Sequence, residues 1–431
     1  MFEQGGLSLD QAPPVSVVFG FFLLGSVFGI FSGASLLYYQ HTLFDPASTG
    51  AIVTIHLLAL GVMMSFMLGA LFQMLPVIAG IVLHAPVPRS NLIKVLLVIG
   101  ILSLTAGFTT RISMLYLFAS LSLGASLLYV SWTMFFRLIR LSHHSASSRG
   151  MLFALLGMLA FLLLALYMTT TYAQMHDGRY FVQVKQMHYS FALFGWISLL
   201  ILSISFQTVE MFYVTPAYPK LLSRYAPIIL LSLLLLLSLS IALGSTMASI
   251  FFQMLVYLLL IAYAFTTLLR LSQRKRPLAD ATIWFWRMGM GSLIGSMLTL
   301  LAYLWIDTAL LSSIGSILFL SFVFSVLFAM FYKIVPFLTW FHLNAQGYFT
   351  APMMHEVIHP KTAKKHFWIH SAMVASLLLS VPIPAAIYLA GLLMIFSFGW
   401  ISYQILHANK LYRHTQETGE KFDMKMDIPS Q

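Results

Sequence analysis

Long apolar stretches separated by short polar segments run the whole length of this 431-residue chain. About 20 apolar residues in a helix match the hydrocarbon thickness of a bilayer. Such stretches fall near 14–38, 50–83, 92–109, 112–136, 150–173, 184–214, 225–244, 246–269, 281–305, 310–341, 366–381 and 384–407. The pattern predicts an all-α polytopic membrane protein of about twelve transmembrane helices. Only Pro382 and Pro384 divide the last two stretches, one ending a helix and the other starting the next, so eleven is the competing count.

The basic residues alternate with the apolar stretches. Segments following even-numbered spans hold Arg89 and Lys94; Arg137, Arg140 and Arg149; Lys220 and Arg224; Arg270, Arg274, Lys275 and Arg276; Lys361, Lys364 and Lys365; and Lys410, Arg413, Lys421 and Lys425. Segments following odd-numbered spans hold only Arg111, Arg179 and Lys185, while Arg287 and Lys333 fall inside spans. The positive-inside rule then predicts that both termini are cytoplasmic, which requires an even number of spans.

Spans 2, 6 and 10 align without a gap. His56 to Gly80 reads HLLALGVMMSFMLGALFQMLPVIAG, Ser190 to Val214 reads SFALFGWISLLILSISFQTVEMFYV, and Ser316 to Trp340 reads SILFLSFVFSVLFAMFYKIVPFLTW. Matched positions carry small residues (Gly61, Gly195, Ser321, then Gly69, Ser203, Ala329), an aromatic (Phe72, Phe206, Tyr332), a long polar side chain (Gln73, Gln207, Lys333) and Pro76, Glu210, Pro336. The correspondence predicts one four-helix module used three times, at about 14–138, 150–270 and 281–408, with 409–431 as a cytoplasmic tail. Small residues permit close helix approach in lipid, and long polar ones must face protein or water, so these three spans are expected to line the interior.

Composition narrows the chemistry. Charged residues make up 8% of the chain against 60% hydrophobic, far from a soluble domain. The net charge of +11 is dispersed among the loops rather than gathered in a patch, so it is a topology signal and not a nucleic-acid surface. With no cysteine there is no disulfide, thiolate nucleophile or iron–sulfur cluster, and soft-metal chemistry falls to 14 His and 25 Met. The opening MFEQGGLSLDQAPP lacks a basic n-region and a small-residue cleavage site, so the first apolar stretch reads as a retained span.

Three four-helix arcs, cytoplasmic termini and His56 in the run HLLALG near the outer end of span 2 resemble the catalytic subunit of haem–copper oxidases and the smaller proteins related to it. Those relatives include the haem- and copper-containing NnrS family associated with the nitric oxide response. GALFQMLPV, GWISLLILSISFQTVEMFYVTPAYP and MFYKIVPFLTWFHL are similar to signatures of a bacterial branch of that superfamily. The resemblance implies an inner-membrane location, haem or copper as cofactor, and quinol, a cytochrome or another membrane subunit as partner. His56 carries over onto the family's low-spin haem ligand on span 2. The departures are equally informative: the family draws an axial His for each of two haems from span 10 and three copper ligands from spans 6 and 7. Here Leu310 to Phe341 has no His, span 6 has only His188 at its outer end, and span 7 has none. Oxygen reduction is not expected, and at most one haem or metal site remains.

His56 and His188 are therefore the candidate ligands to haem or copper, neutral imidazole being a good ligand to either metal; the bland reading is a neutral His bonded to a neighbouring helix. Lys333 and Glu210 are expected to pair across the interior, with Gln73 and Gln207 completing a polar layer that either conducts a proton, ion or small solute or locks the modules together. Arg287, in FWRMGMG, is expected to snorkel to the cytoplasmic headgroups. His355-Glu356-Val357-Ile358-His359 matches the zinc-protease pattern but falls in a loop ending at Pro360, and is read as coincidence. Three functions compete: a redox or nitric-oxide-related haem or metal protein, a transporter or channel, and a cofactor-free assembly partner of a respiratory complex.

Overall fold

In a lipid environment every backbone polar group must find its partner within the chain, which leaves the helix as the one solution for consecutive apolar runs. A computed structural model describes residues 12–275 and 280–421, and among them the chain is all helical with no β-strand. Arg276, Lys425 and the first eleven residues lie outside the described residues. The long helices, numbered in chain order, are α1 Val15–Tyr39, α2 Thr49–Ala79, α3 Pro86–Thr110, α4 Ser113–Leu138, α5 Ala146–Tyr172, α6 Phe181–Tyr213, α7 Lys220–Ala242, α8 Thr246–Ser272, α9 Ala281–Tyr303, α10 Ala309–Ala345, α11 Pro360–Leu379 and α12 Ala386–Thr418.

Ten of these are long and apolar enough to cross a membrane; α9 and α11 are the two of lower hydropathy. In α9 the dilution comes from Arg287 and from Gly289, Gly291, Ser292, Gly295 and Ser296, and in α11 from Lys361, Lys364, Lys365, His366 and His370. The chain is a multi-pass membrane protein.

Local chemistry fixes the helix ends. Ser48, Ser145, Asp280 and Thr308 accept hydrogen bonds from the first-turn amides of α2, α5, α9 and α10. Gly80 closes α2 in the left-handed region at φ 64°. Two departures from the expected segments appear. Lys94, expected in a loop, sits in the third turn of α3, with its ammonium 5.5 Å from the Phe21 ring of α1. Helix α12 continues to Thr418, so the first ten residues of the expected tail are helical.

Each helix packs on its successor, and α12 packs back on α1, where Ser402 donates to Ser26 at 2.8 Å. Further contacts join α1 to α3, α5 to α7 and α9 to α11. Burial separates inner from outer helices. Over their most apolar stretches α2, α6 and α10 are 72%, 78% and 61% buried and α1 61%, against 28% for α8 and 33% for α3. The three spans that align in sequence are thus interior helices.

Candidate functional site

Two regions bring chemistry-bearing side chains together, at opposite ends of the inner helices. The first lies about two turns inside the N-terminal ends of α2 and α6. His56 donates through Nδ1 to the Ile52 carbonyl at 2.7 Å, and His188 donates through Nδ1 to the Phe161 carbonyl of α5 at 3.0 Å. Each bond fixes the tautomer and leaves Nε2 as a lone-pair nitrogen with no protein partner among the described residues. The rings are half-buried and within electrostatic reach of each other. An aromatic shell surrounds them: Phe108 is 5.4 Å from His56 and meets Tyr116 and Tyr172 edge-on, and Phe161 is 6.0 Å from His188.

Both histidines precede a π-helical segment, Leu57–Met64 in α2 and Phe191–Ser198 in α6. The shift of 134 residues that carries Gln73 onto Gln207 also carries Leu57 onto Phe191 and Met64 onto Ser198. The wide turn is thus repeated at the same place, and such segments recur at functional sites. Among the described residues no three His, Asp or Glu side chains gather as a metal-ligand cluster.

The second region is a cavity of about 420 Å³ where α2, α6 and α10 end and α9 begins. Gln73, Lys333, Asp280, Thr282, Tyr332 and His355 supply its polar lining, with Met74, Met211, Phe212 and Phe337 among the apolar walls. Gln73 is 1% exposed, and neither its Oε1 nor its Nε2 has a hydrogen-bond partner. A buried amide left open at both atoms is costly, so its presence on a cavity wall marks a place where a polar group is wanted.

The expected partnership of Lys333 with Glu210 does not form. Lys333 Nζ donates to Asp280 Oδ2 at 2.5 Å, while Glu210 Oε1 accepts the backbone amide of Tyr218 at 2.9 Å. The alignment predicts height along the bundle but not direction around it. Close packing of α9 on α10 brings the α9 N-cap to Lys333, whereas α6 unwinds at Val214 and turns Glu210 toward the following loop. Burial pushes the Asp280 carboxyl up, but the Lys333 ammonium and hydrogen bonds from Lys333, Thr282 and the Ile283 amide outweigh it, holding Asp280 below its ordinary range. Of the expected polar layer, Gln73 and Lys333 meet at the cavity; Gln207 and Glu210 are half-buried and do not line it. Arg287 is exposed on the outer face of α9.

The HExxH run does not form a helical metal site. Met354–Val357 is one turn, Glu356 accepts the Met353 amide, and His359 caps α11 by accepting the Lys361 amide at 3.1 Å. Sequence reasoning missed Asp280, although an Asp directly before an apolar stretch is an N-cap signal. Nor did it show that His366 and His370 face the interior. Four residues apart on α11, both are fully buried, their Nε2 atoms bonded to Ser397 at 2.7 Å and Ser325 at 2.8 Å, their Nδ1 atoms unpartnered.

No protein-family model matches the chain, and a search of curated proteins finds no match.

Proposed function

We propose that the chain is a twelve-span bacterial inner-membrane protein of haem–copper-oxidase-like architecture, in which His56 and His188 hold a single redox-active metal centre. The observation that carries this reading is the pair of imidazoles tethered through Nδ1 to backbone carbonyls, with both Nε2 atoms uncommitted in an aromatic shell. That is the arrangement by which an outer hydrogen bond orients a ligating histidine. The donor set favours haem over a bare copper ion. A porphyrin brings most of its iron's ligands with it, so His56 and His188 would suffice to hold it, whereas a copper ion would find no third His, Asp or Glu donor among the described residues.

Haem held there by His56 and His188 would supply one-electron chemistry, consistent with a redox or nitric-oxide-related role in sensing, protection or cofactor handling. Electrons would come from quinol, a cytochrome or another membrane subunit. Three recurring helix contacts support the modular reading: first with second, first with third and third with fourth helix in each set of four, with the fourth of each set packing on the first of the next. The Lys and Arg distribution supports cytoplasmic termini.

The test is an absorption spectrum and metal analysis of protein purified from membranes. A Soret band at one haem per chain is expected, lost in His56→Ala and in His188→Ala while the helical circular dichroism is kept. A wild-type protein with neither a Soret band nor stoichiometric metal ends this reading. A second reading, passage or binding of a small polar solute, rests on the cavity walled by the open Gln73 amide and the Asp280–Lys333 pair. Proteoliposome flux that is abolished by Gln73→Met would favour it.

A further inference from the structure

A separate groove of about 680 Å³ lies on the same end of the bundle as the polar cavity, between the close of α2, the start of α3 and the close of α4. Its charged lining is entirely basic, Arg89, Arg137 and Arg140 with His84 beside them and no Asp or Glu. Arg137 Nη1 donates to the Val82 carbonyl at 2.6 Å, which fixes its guanidinium at the groove wall. The side chains of Arg89 and Arg140 make no hydrogen bond or ion pair among the described residues. Three guanidinium groups converging without an acid are mutually repulsive, and an anion between them would relieve that repulsion.

The groove also continues onto a lipid-facing stripe. Leu128, Trp132, Phe136 and Arg140 recur every four residues along α4 and its end, so they follow one another on one face. The three apolar members are 41%, 67% and 38% exposed, and the Trp132 and Phe136 rings contact each other at 4.3 Å between centroids. Trp132, Phe136 and the backbone of Gly80 and Ile81 are part of the groove lining itself. A basic basket above an exposed aromatic and aliphatic track has the polarity of one molecule: a phosphate headgroup with acyl chains hanging from it.

We propose that this groove is a specific site for an anionic glycerophospholipid, its phosphate held by Arg89, Arg137 and Arg140 and an acyl chain lying along Phe136, Trp132 and Leu128. The site is independent of whether the protein binds haem. Native mass spectrometry of the detergent-purified full chain, titrated with phosphatidylglycerol, phosphatidylcholine or inorganic phosphate, tests it. Phosphatidylglycerol should be retained in preference to phosphatidylcholine. Each interfacial cation contributes roughly fivefold, so R89Q/R140Q should bind phosphatidylglycerol about thirtyfold more weakly and R140Q alone about fivefold, with phosphatidylcholine unaffected. Trp132→Ala should weaken phosphatidylglycerol without changing phosphate binding. Equal retention of the two lipids, or phosphatidylglycerol binding unchanged in R140Q, overturns the site. Phosphate binding as tight as phosphatidylglycerol, with no effect of Trp132→Ala, would make it a soluble-anion site and overturn the lipid assignment.

Discussion

Asp280 does two jobs with one carboxylate: Oδ1 accepts the Thr282 and Ile283 amides that start α9, and Oδ2 accepts the Lys333 ammonium of α10. Because its folded pKa lies below the unfolded value near 4, its stabilising contribution is present above about pH 4 and disappears as the pH falls through the folded pKa. Thermal stability should therefore be level from neutral pH down to about 5 and fall in more acidic solution. Asn is as good a cap as Asp, so Asp280→Asn removes the charge and keeps the cap. That variant should melt lower than wild type at pH 7 and lose much of the acid-side slope; an unchanged slope would assign it to other carboxylates. Gln73 gives a prediction of opposite sign. An apolar side chain of similar shape removes two unpaired buried polar atoms, so Gln73→Met should leave stability unchanged or raise it by up to about 2 kcal/mol. A clear loss of stability on thermal denaturation would mean that the amide has an internal partner after all.

Helices, more than residues, were legible in the sequence. Apolar length located the long helices, because in lipid a spanning run has no alternative to the helix; the boundaries moved where charge continues a helix beyond the hydrocarbon, as at Lys410 and Arg413 in α12. Interior position was legible for α2, α6 and α10 because small and polar residues recur in them. What could not be read was azimuth: ungapped alignment matches rise per residue, but α2 and α6 each carry a π-helical segment that α10 lacks, so the partner of Lys333 lay beyond it, and His366 and His370 sit on α11, outside the aligned spans. Close approach of two helices is a further element-scale property. A Cβ at Gly157 of α5 would strike the Gly195 carbonyl within the π segment of α6, a backbone atom unable to step aside. Gly157→Ala should cost about 1–3 kcal/mol by overpacking, measured as a lower unfolding midpoint in denaturing detergent. Displacement of α6 should also loosen the Nδ1 bond of His188 to Phe161 on α5. Loss of cofactor in Gly157→Ala with both histidines intact would therefore tie the crossing to the site.

At the scale of the whole molecule, the contacts among helices recur with a period of four, while chemistry is confined to particular inter-helix spaces: the two histidines between α2 and α6, the polar cavity among α2, α6, α9 and α10. Repetition thus builds a scaffold, and asymmetry in a few side chains gives it sites. Whether α9 and α11 cross the membrane decides this picture, since the period breaks without them, and the two termini part company if one alone fails to cross. The absence of cysteine allows a clean test by single-cysteine labelling. Ser142 and Ser272 stand exposed at the basic end, Asp177 and Ile383 exposed at the other. A membrane-impermeant maleimide should label Asp177→Cys and Ile383→Cys in intact spheroplasts, and label Ser142→Cys and Ser272→Cys only after permeabilisation. Ile383, between α11 and α12, detects the loss of one of the two crossings, and Asp307→Cys, exposed between α9 and α10, detects the loss of both, since it labels in intact spheroplasts only if α9 crosses. If Ile383→Cys reacts only after permeabilisation while Asp177→Cys reacts before it, the chain between them crosses an odd number of times and the twelve-span arrangement falls. Reversal of every result would keep the span count and place both termini outside.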